Sequence, residues 1–223
     1  LYERPPMARL ALFDMDRTLV RKETASLYMR HQYEQGAASK RDLLRVGGWV
    51  LQYTLGIVDA EKVAAQAISV LRGTSEIAMK ARCDDWFQSH VRPHVSDEAR
   101  RVVRRHEAVG DVLVLATGGT LYGALPVARH FQIPHVVASL LDVDERGIFT
   151  GNFVAPLAYS HGKVTRVRAL AARLGHRLED AAFYSDSITD LPLLEAVGEP
   201  YCVNPDVRLA RLAKKRGWPI LAW

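Results

Sequence analysis

A mostly apolar run at residues 8–13 (ARLALF) ends abruptly at Asp14-Met15-Asp16. A short run closed by polar residues predicts a buried strand. From residue 24 to about 92 the period becomes helical. Leu27, Tyr28 and His31 form one series. Leu43, Leu44, Val46 and Val50 form another, and Val63, Ala67, Ile68 and Leu71 a third, with Gly73 as its predicted C-cap. A helix over 75–90 is predicted to stop at Pro93. Beyond Pro93 the pattern alternates. Helices are predicted at 96–109, 120–131, 162–174, 190–197 and 206–216. Strand-like runs fall at 112–116, 135–138, 180–184 and 200–203, with a final apolar piece at 218–221. Residues 140–154 read as a hairpin turning at Asp144-Glu145-Arg146-Gly147. Buried strands alternating with helices predict an α/β protein with a doubly wound, mainly parallel sheet. The helical block between the first strand and the rest reads as an inserted lid. The division is therefore 1–22 with 93–223 as the core, and 23–92 as an all-helical insert.

Composition sets the class. The chain has 223 residues, 48% hydrophobic and 25% charged, enough to bury a core without disulfides or structural metals. Its formal net charge is +5, with basic clusters at 100–105 (RRVVRR) and 211–216 (RLAKKR). Both lie in helical segments without interleaved aromatic residues, so they read as solvated helix faces, and no nucleic-acid partner is expected. A mild positive field also attracts small anions. Cys83 and Cys202 are far apart, which gives neither a disulfide framework nor a CxxC pair and fits a reducing cytoplasm. The opening LYERPPMARL lacks the apolar core of a signal peptide, and Met7 stands as a candidate start. The apolar stretch 46–58 (VGGWVLQYTLGIV) is too short to span a bilayer and contains Gln52 and Thr54.

Chemistry collects at the predicted strand ends, where parallel sheets place their sites. One strand ends at Asp14-Met15-Asp16, a second at Thr117-Gly118-Gly119, and a third at Tyr184-Ser185-Asp186, followed by Ser187 and Asp190. Lys163 follows Gly162 at the start of a helix. Clustered carboxylates repel unless a cation neutralises them, and Mg²⁺ prefers oxygen ligands. Lys163 and the amides near Gly118 and Gly119 suit phosphate oxygens. One aspartate then suits attack on phosphorus and its neighbour proton transfer. Each piece has a plainer reading: turn and cap residues for the aspartates, with Asp190 as N-cap ahead of Leu191-Pro192, and a simple strand-to-helix turn at Thr117.

The ordered set resembles the haloacid dehalogenase (HAD) superfamily. Asp14-x-Asp16-x-Thr18 is similar to its opening motif, Thr117 to the second, Lys163 to the third, and Asp186 with Asp190 to the acidic fourth. The helical insert, FYSDSITDLPLLEAVG and NPDVRLARLAKKRGWPI resemble the phosphoserine-phosphatase-like subfamily IB. The resemblance implies a Rossmann-like core with a helical cap, and a phosphatase working through an aspartyl phosphate. It implies that Asp14 is the nucleophile and Asp16 the acid and base. Thr117 and Lys163 would hold the phosphoryl group. Mg²⁺ would be held by Asp14, the Asp16 backbone carbonyl and Asp186, with Asp190 supporting. Thr18 is expected to stabilise the loop. Arg17 replaces a frequent glycine and is expected to face outward or line the entrance. Thr189 stands where an asparagine is usual. Glu23 matches a position that holds a substrate ammonium, or it favours a helix N-terminus electrostatically. The cap arginine expected for a phosphoserine carboxylate is absent, with Ala67 at that place.

His90 and His94 have a zinc-like spacing, but Pro93 interrupts the helix, so no metal is expected there. Trp49, Tyr53 and Leu55 read as cap core. The expected substrate is a small phosphorylated metabolite: histidinol phosphate, phosphoserine, a phosphocholine-like compound or a glycerol phosphate. Three other readings compete. A membrane-surface phosphatase for phospholipid head groups is suggested by the basic charge and the 46–58 stretch. A carbon–halogen hydrolase is opposed by Asp16, because a halide leaves without a proton. A non-catalytic phosphate-binding module is opposed by the complete acid set. Oligomeric state is left open by the sequence.

Overall fold

The structure, a computed structural model, describes residues 8–39 and 60–223, with only the backbone described at 60–63. The described residues form one sheet of seven strands: β1 Leu10–Phe13, β2 Val112–Thr120, β3 His135–Val143, β4 Phe149–Val154, β5 Ala182–Ser185, β6 Glu199–Val203 and β7 Ile220–Leu221. Their order is β4-β3-β2-β1-β5-β6-β7, parallel throughout except for the β3–β4 hairpin. The described helices are α1 Thr24–Glu34, α2 Ala60–Ser69, α3 Glu76–Trp86, α4 Asp97–Ala108, α5 Leu121–Phe131, α6 His161–Arg173, α7 Leu191–Ala196 and α8 Val207–Arg216.

β1 is covered on both faces, which is why it reads as a continuous apolar run. Leu10 and Leu12 point into one layer with Val114, Phe183, Val167 of α6, Leu193 of α7 and Leu209 of α8. Ala11 and Phe13 point into the other with Leu113, Leu115, Val103 of α4 and Val127 of α5. Burying each leucine contributes about 1.5–3 kcal/mol. The chain first builds outward from β1 through β2 and β3, then returns to its other side through β5 and β6. This reversal makes the carboxyl end of β1 a crevice. The chain passes from β1 into α1, and α2 and α3 precede α4, with α2 beside β4 and α3 beside α5.

Several boundaries differ from the sequence reading. β2 continues through an irregular end to Thr120, and β3 reaches Val143, because pairing partners extend both strands. The helix predicted at 75–90 ends as α-helix at Trp86, then becomes a π-turn over Phe87–Val91 and a 3₁₀ turn over Arg92–His94. The Arg92 N–H reaches back to the Phe87 carbonyl, a wider turn that accommodates Pro93. Gly73 is not the C-cap of α2, which ends at Ser69. It lies in the following turn at φ +80°, where its N–H donates to Phe149. The segment before α7 starts as a 3₁₀ turn at Ile188.

The series Leu43, Leu44, Val46 and Val50, the 46–58 stretch, Trp49, Tyr53 and Leu55, and Met7 all lie outside the described residues. His90 bonds Ser89 and Glu34. Among the described residues no helix is long and apolar enough to cross a membrane.

Candidate active site

Six groups from four separate stretches of the chain line one cleft of about 640 Å³ at the carboxyl end of β1: Asp14, Asp16, Thr117, Lys163, Asp186 and Asp190. Asp14 sits one residue past β1, where its N–H donates to the Tyr184 carbonyl at 2.9 Å. Phe13 and Tyr184 stack beneath it with ring centroids 5.0 Å apart. The Lys163 Nζ donates to Asp14 Oδ1 at 3.0 Å and lies 2.6 Å from Asp190 Oδ1. Ser185 Oγ donates to the other Asp190 oxygen at 2.7 Å. Asp190 occupies the N-cap position of α7 but makes no capping bond, because its carboxylate is spent on Lys163 and Ser185.

Asp16 is held differently. Its Oδ1 accepts the backbone N–H of Thr24, the first residue of α1, at 2.6 Å. Glu23 stands at the N-cap of that helix without a side-chain cap bond and lies exposed along the cleft. Asp16, not Glu23, therefore satisfies the first free amide of α1. Thr18 is buried, and its hydroxyl has no partner among the described residues, so it contributes packing to the loop.

At the end of β2 the Thr117 oxygen accepts the Gly119 N–H at 3.1 Å, leaving its hydroxyl proton free. Gly118 is exposed, and its carbonyl is fixed by Ser139 Oγ at 2.9 Å. Lys163 stands in the first turn of α6, where Gly162 makes a close approach. A Cβ on Gly162 would lie 2.0 Å from the Leu157 carbonyl oxygen, a backbone atom that cannot swing aside. Gly162→Ala is expected to cost about 1–3 kcal/mol and to displace Lys163. A thermal melt read beside an activity assay checks both effects.

Arg17 lines the cleft, with Nε 3.6 Å from Asp186 Oδ2, and adopts φ +53°. Its carbonyl is held by Asn204 Nδ2 at 3.2 Å, and the same amide side chain bonds the backbone of Trp223. The Asp186 carbonyl accepts the Asp206 N–H at 2.8 Å, and Asp206 in turn accepts from Ile188, Arg208 and Leu209. Ser185, Asn204 and Asp206 are positioning residues that the sequence reading did not single out. Only Asp206, an aspartate just ahead of a helix, carries a local signal. Thr189 lines the cleft with its hydroxyl 3.0 Å from Ser187, and Ala67 lines it from α2.

Negative charge exceeds positive charge in this pocket. Burial pushes the Asp14 carboxyl up to about 7; Lys163 opposes this, while Asp190 and Asp16 add to it. Burial likewise pushes Asp186 up to about 9, reinforced by Asp14 and Glu23 and opposed by Arg17. Burial also raises Asp16, against the Thr24 hydrogen bonds. For Lys163 burial acts to lower the value, but Asp14 and Asp190 outweigh it and hold the ammonium charged.

The model for haloacid dehalogenase-like hydrolases matches residues 11–195, and the chain belongs to that family. A histidinol-phosphatase from Neisseria meningitidis serogroup C is 28% identical over 219 residues, covering 96% of this chain and 99% of the relative. A phosphoserine phosphatase from Mycobacterium tuberculosis is 30% identical over 225 residues, covering 97% and 72%. A crystal structure of a protein of unknown function from Bordetella pertussis superposes with a TM-score of 0.87 at 32% identity, covering 96% and 98%. Within the family this chain is a phosphoserine-phosphatase-like member and a hydrolase of phosphoric monoesters.

Proposed function

We propose that the chain is a Mg²⁺-dependent phosphatase that cleaves a small phosphomonoester through an aspartyl phosphate on Asp14. The core would be 1–22 with 93–223, and the block 23–92 would cap it. The observation that carries this reading is the Asp14–Lys163–Asp190 chain standing in one cleft with Asp16 and Thr117. The names of the relatives put histidinol phosphate and phosphoserine first among the esters to assay.

The donor set fits Mg²⁺. Burial first, and neighbouring acids second, raise Asp14 and Asp186 toward neutrality, and a hard cation with oxygen preference would favour their ionised forms. Among the described residues no three His, Cys, Asp or Glu side chains converge as a ready-made cage. Mg²⁺ retains waters and needs only one or two carboxylates. Asp14, the Asp16 carbonyl and Asp186 would hold it. When bound, it neutralises phosphoryl charge.

The chain's own groups supply the rest. Lys163 ties Asp14 Oδ1, which leaves Oδ2 to attack phosphorus in line. The ammonium, the Thr117 hydroxyl and the Gly118 amide steady the phosphoryl oxygens. Asp16, raised by burial and fixed by Thr24, gives its proton to the departing alkoxide. It then takes a proton from the water that opens the aspartyl phosphate.

Phosphate release from an aryl phosphate is expected to vanish on chelation and return with Mg²⁺. The pH dependence of stability gives a second readout. Asp14 and Asp186 bind protons more tightly folded than unfolded, since burial holds both above the ordinary aspartate value of 3.8. Their contribution is full below about pH 4 and is lost as pH rises through about 7 and 9. The Tm of metal-free protein should fall across this window, and Mg²⁺ should restore it. A flat profile indifferent to Mg²⁺ counts against the metal.

A further inference from the structure

Between α2 and α3 the chain runs along the open side of β4 as a short strand. Ser75 and Ile148 face each other in an antiparallel bridge. On one side of it the Glu76 N–H donates to the Gly147 carbonyl at 2.8 Å, and on the other the Phe149 N–H donates to the Thr74 carbonyl at 3.0 Å. The Gly73 N–H donates to the Phe149 carbonyl at 2.9 Å. β4 is the last strand on its side of the sheet, so these bonds cover backbone groups that an edge strand otherwise leaves open.

Side chains close the same seam. The Tyr122 hydroxyl of α5 donates to Glu76 Oε1 at 2.9 Å, and the Tyr122 ring meets the buried Phe149 ring edge to face, with centroids 5.1 Å apart. Gly151 of β4, at φ +82°, lets the end of α2 close in. A Cβ there would lie 3.0 Å from Arg72 Cβ and 3.3 Å from the Ser69 carbonyl oxygen. An insert that swings as one body is held only where the chain enters and leaves it. This one has a third attachment. Moving α2 and α3 off the sheet breaks three backbone bonds and the Tyr122–Glu76 bond together. The wall carried away would include Ile68, Leu71, Met79 and Cys83, all of which line the cleft.

We propose that residues 73–76 are a positioning strand that holds the α2–α3 wall of the cleft against the sheet throughout turnover, so that this wall is preformed and does not swing open to admit substrate. The proposal rests on the reading that this cleft turns over phosphomonoesters, but not on the metal or the covalent intermediate. A disulfide across the bridge tests it. Facing residues in such a non-hydrogen-bonded pair lie about 4.5 Å apart between Cα atoms, within disulfide range. The native Cys83 and Cys202 are buried, which directs oxidation to the new pair. In Ser75→Cys/Ile148→Cys the oxidised protein is expected to keep kcat/KM for an aryl phosphate within about twofold of the reduced protein. An oxidised form more than about tenfold slower, and restored by dithiothreitol, means that the wall opens and overturns the proposal.

Glu76→Pro isolates the positioning effect. Glu76 is the first residue of α3, where proline is tolerated, so the helix survives while the bond to Gly147 is lost. Glu76→Ala is the control: both variants lose the carboxylate, and their difference reports the backbone bond. Relative to Glu76→Ala, the proline variant is expected to raise KM about three- to tenfold with kcat within about twofold. Equal KM values overturn the positioning role. Hydrogen exchange on the wild type needs no variant. The Glu76 and Phe149 amides are expected to exchange about a thousandfold or more slower than in the unfolded chain, and loop-like exchange overturns the pairing. These failures leave the phosphatase standing. No phosphate release by the wild type removes the phosphatase reading itself, and this proposal with it.

Discussion

Asp14→Asn is expected to lower phosphate release by on the order of 10⁴-fold while the protein stays folded. The amide keeps the size of the side chain and its place beside Lys163, but it supplies no anionic nucleophile. Stability should hold or rise in metal-free buffer, because burial already disfavours the ionised carboxyl. Asp16→Asn separates the two chemical steps. With an aryl phosphate, whose leaving group needs no proton, the first step survives and the second lacks its base. Phosphorylated protein should then accumulate in a rapid-quench experiment, visible as a burst and as added mass. An Asp14→Asn enzyme within about tenfold of wild type would mean that another group attacks phosphorus.

Lys163→Met carries the largest expected cost in stability. The ammonium is 3% exposed and lies between two buried acids. Methionine fills the space but leaves Asp14 and Asp190 without a counter-charge. Breaking such a buried pair costs about 3–5 kcal/mol. For a chain of this size that lowers the Tm by about 6–20 °C. The loss should shrink in acid, where the stranded Asp14 carboxyl takes up a proton, and grow toward neutral pH. Lys163→Arg should recover stability more than activity, because its planar fork keeps the charge but not the point geometry. Calorimetric melts at acid and neutral pH check the sign. A pH-independent loss would point to packing instead.

Much of the architecture was legible because local signals and global demands coincide. The apolar run at β1 is covered on both faces, and the polar residues that close it face the crevice. Asp14, Asp16, Thr117, Asp186 and Asp190 share one cleft because they lie at or just beyond the ends of parallel strands, and Lys163 joins them from the first turn of α6, which follows the antiparallel strand β4. The illegible parts depend on partners far along the chain. Asn204 reaches Arg17 across 187 positions, and no local pattern announces that contact. Asp190 looked like a helix cap until Lys163 and Ser185 were placed against its two oxygens. The π-turn at Phe87–Val91 is equally hidden, since its apolar spacing matches that of an ordinary helix.

The bond from the Thr24 amide to Asp16 joins two jobs in one atom pair. The oxygen that starts α1 belongs to the side chain read here as the proton carrier. The placement of the first turn of α1 therefore bears directly on the orientation of that carboxyl. On the proposed reading, a substitution that shifts the start of α1 to suit a new ligand would also move the Asp16 carboxyl, so specificity and turnover would change together at this one bond.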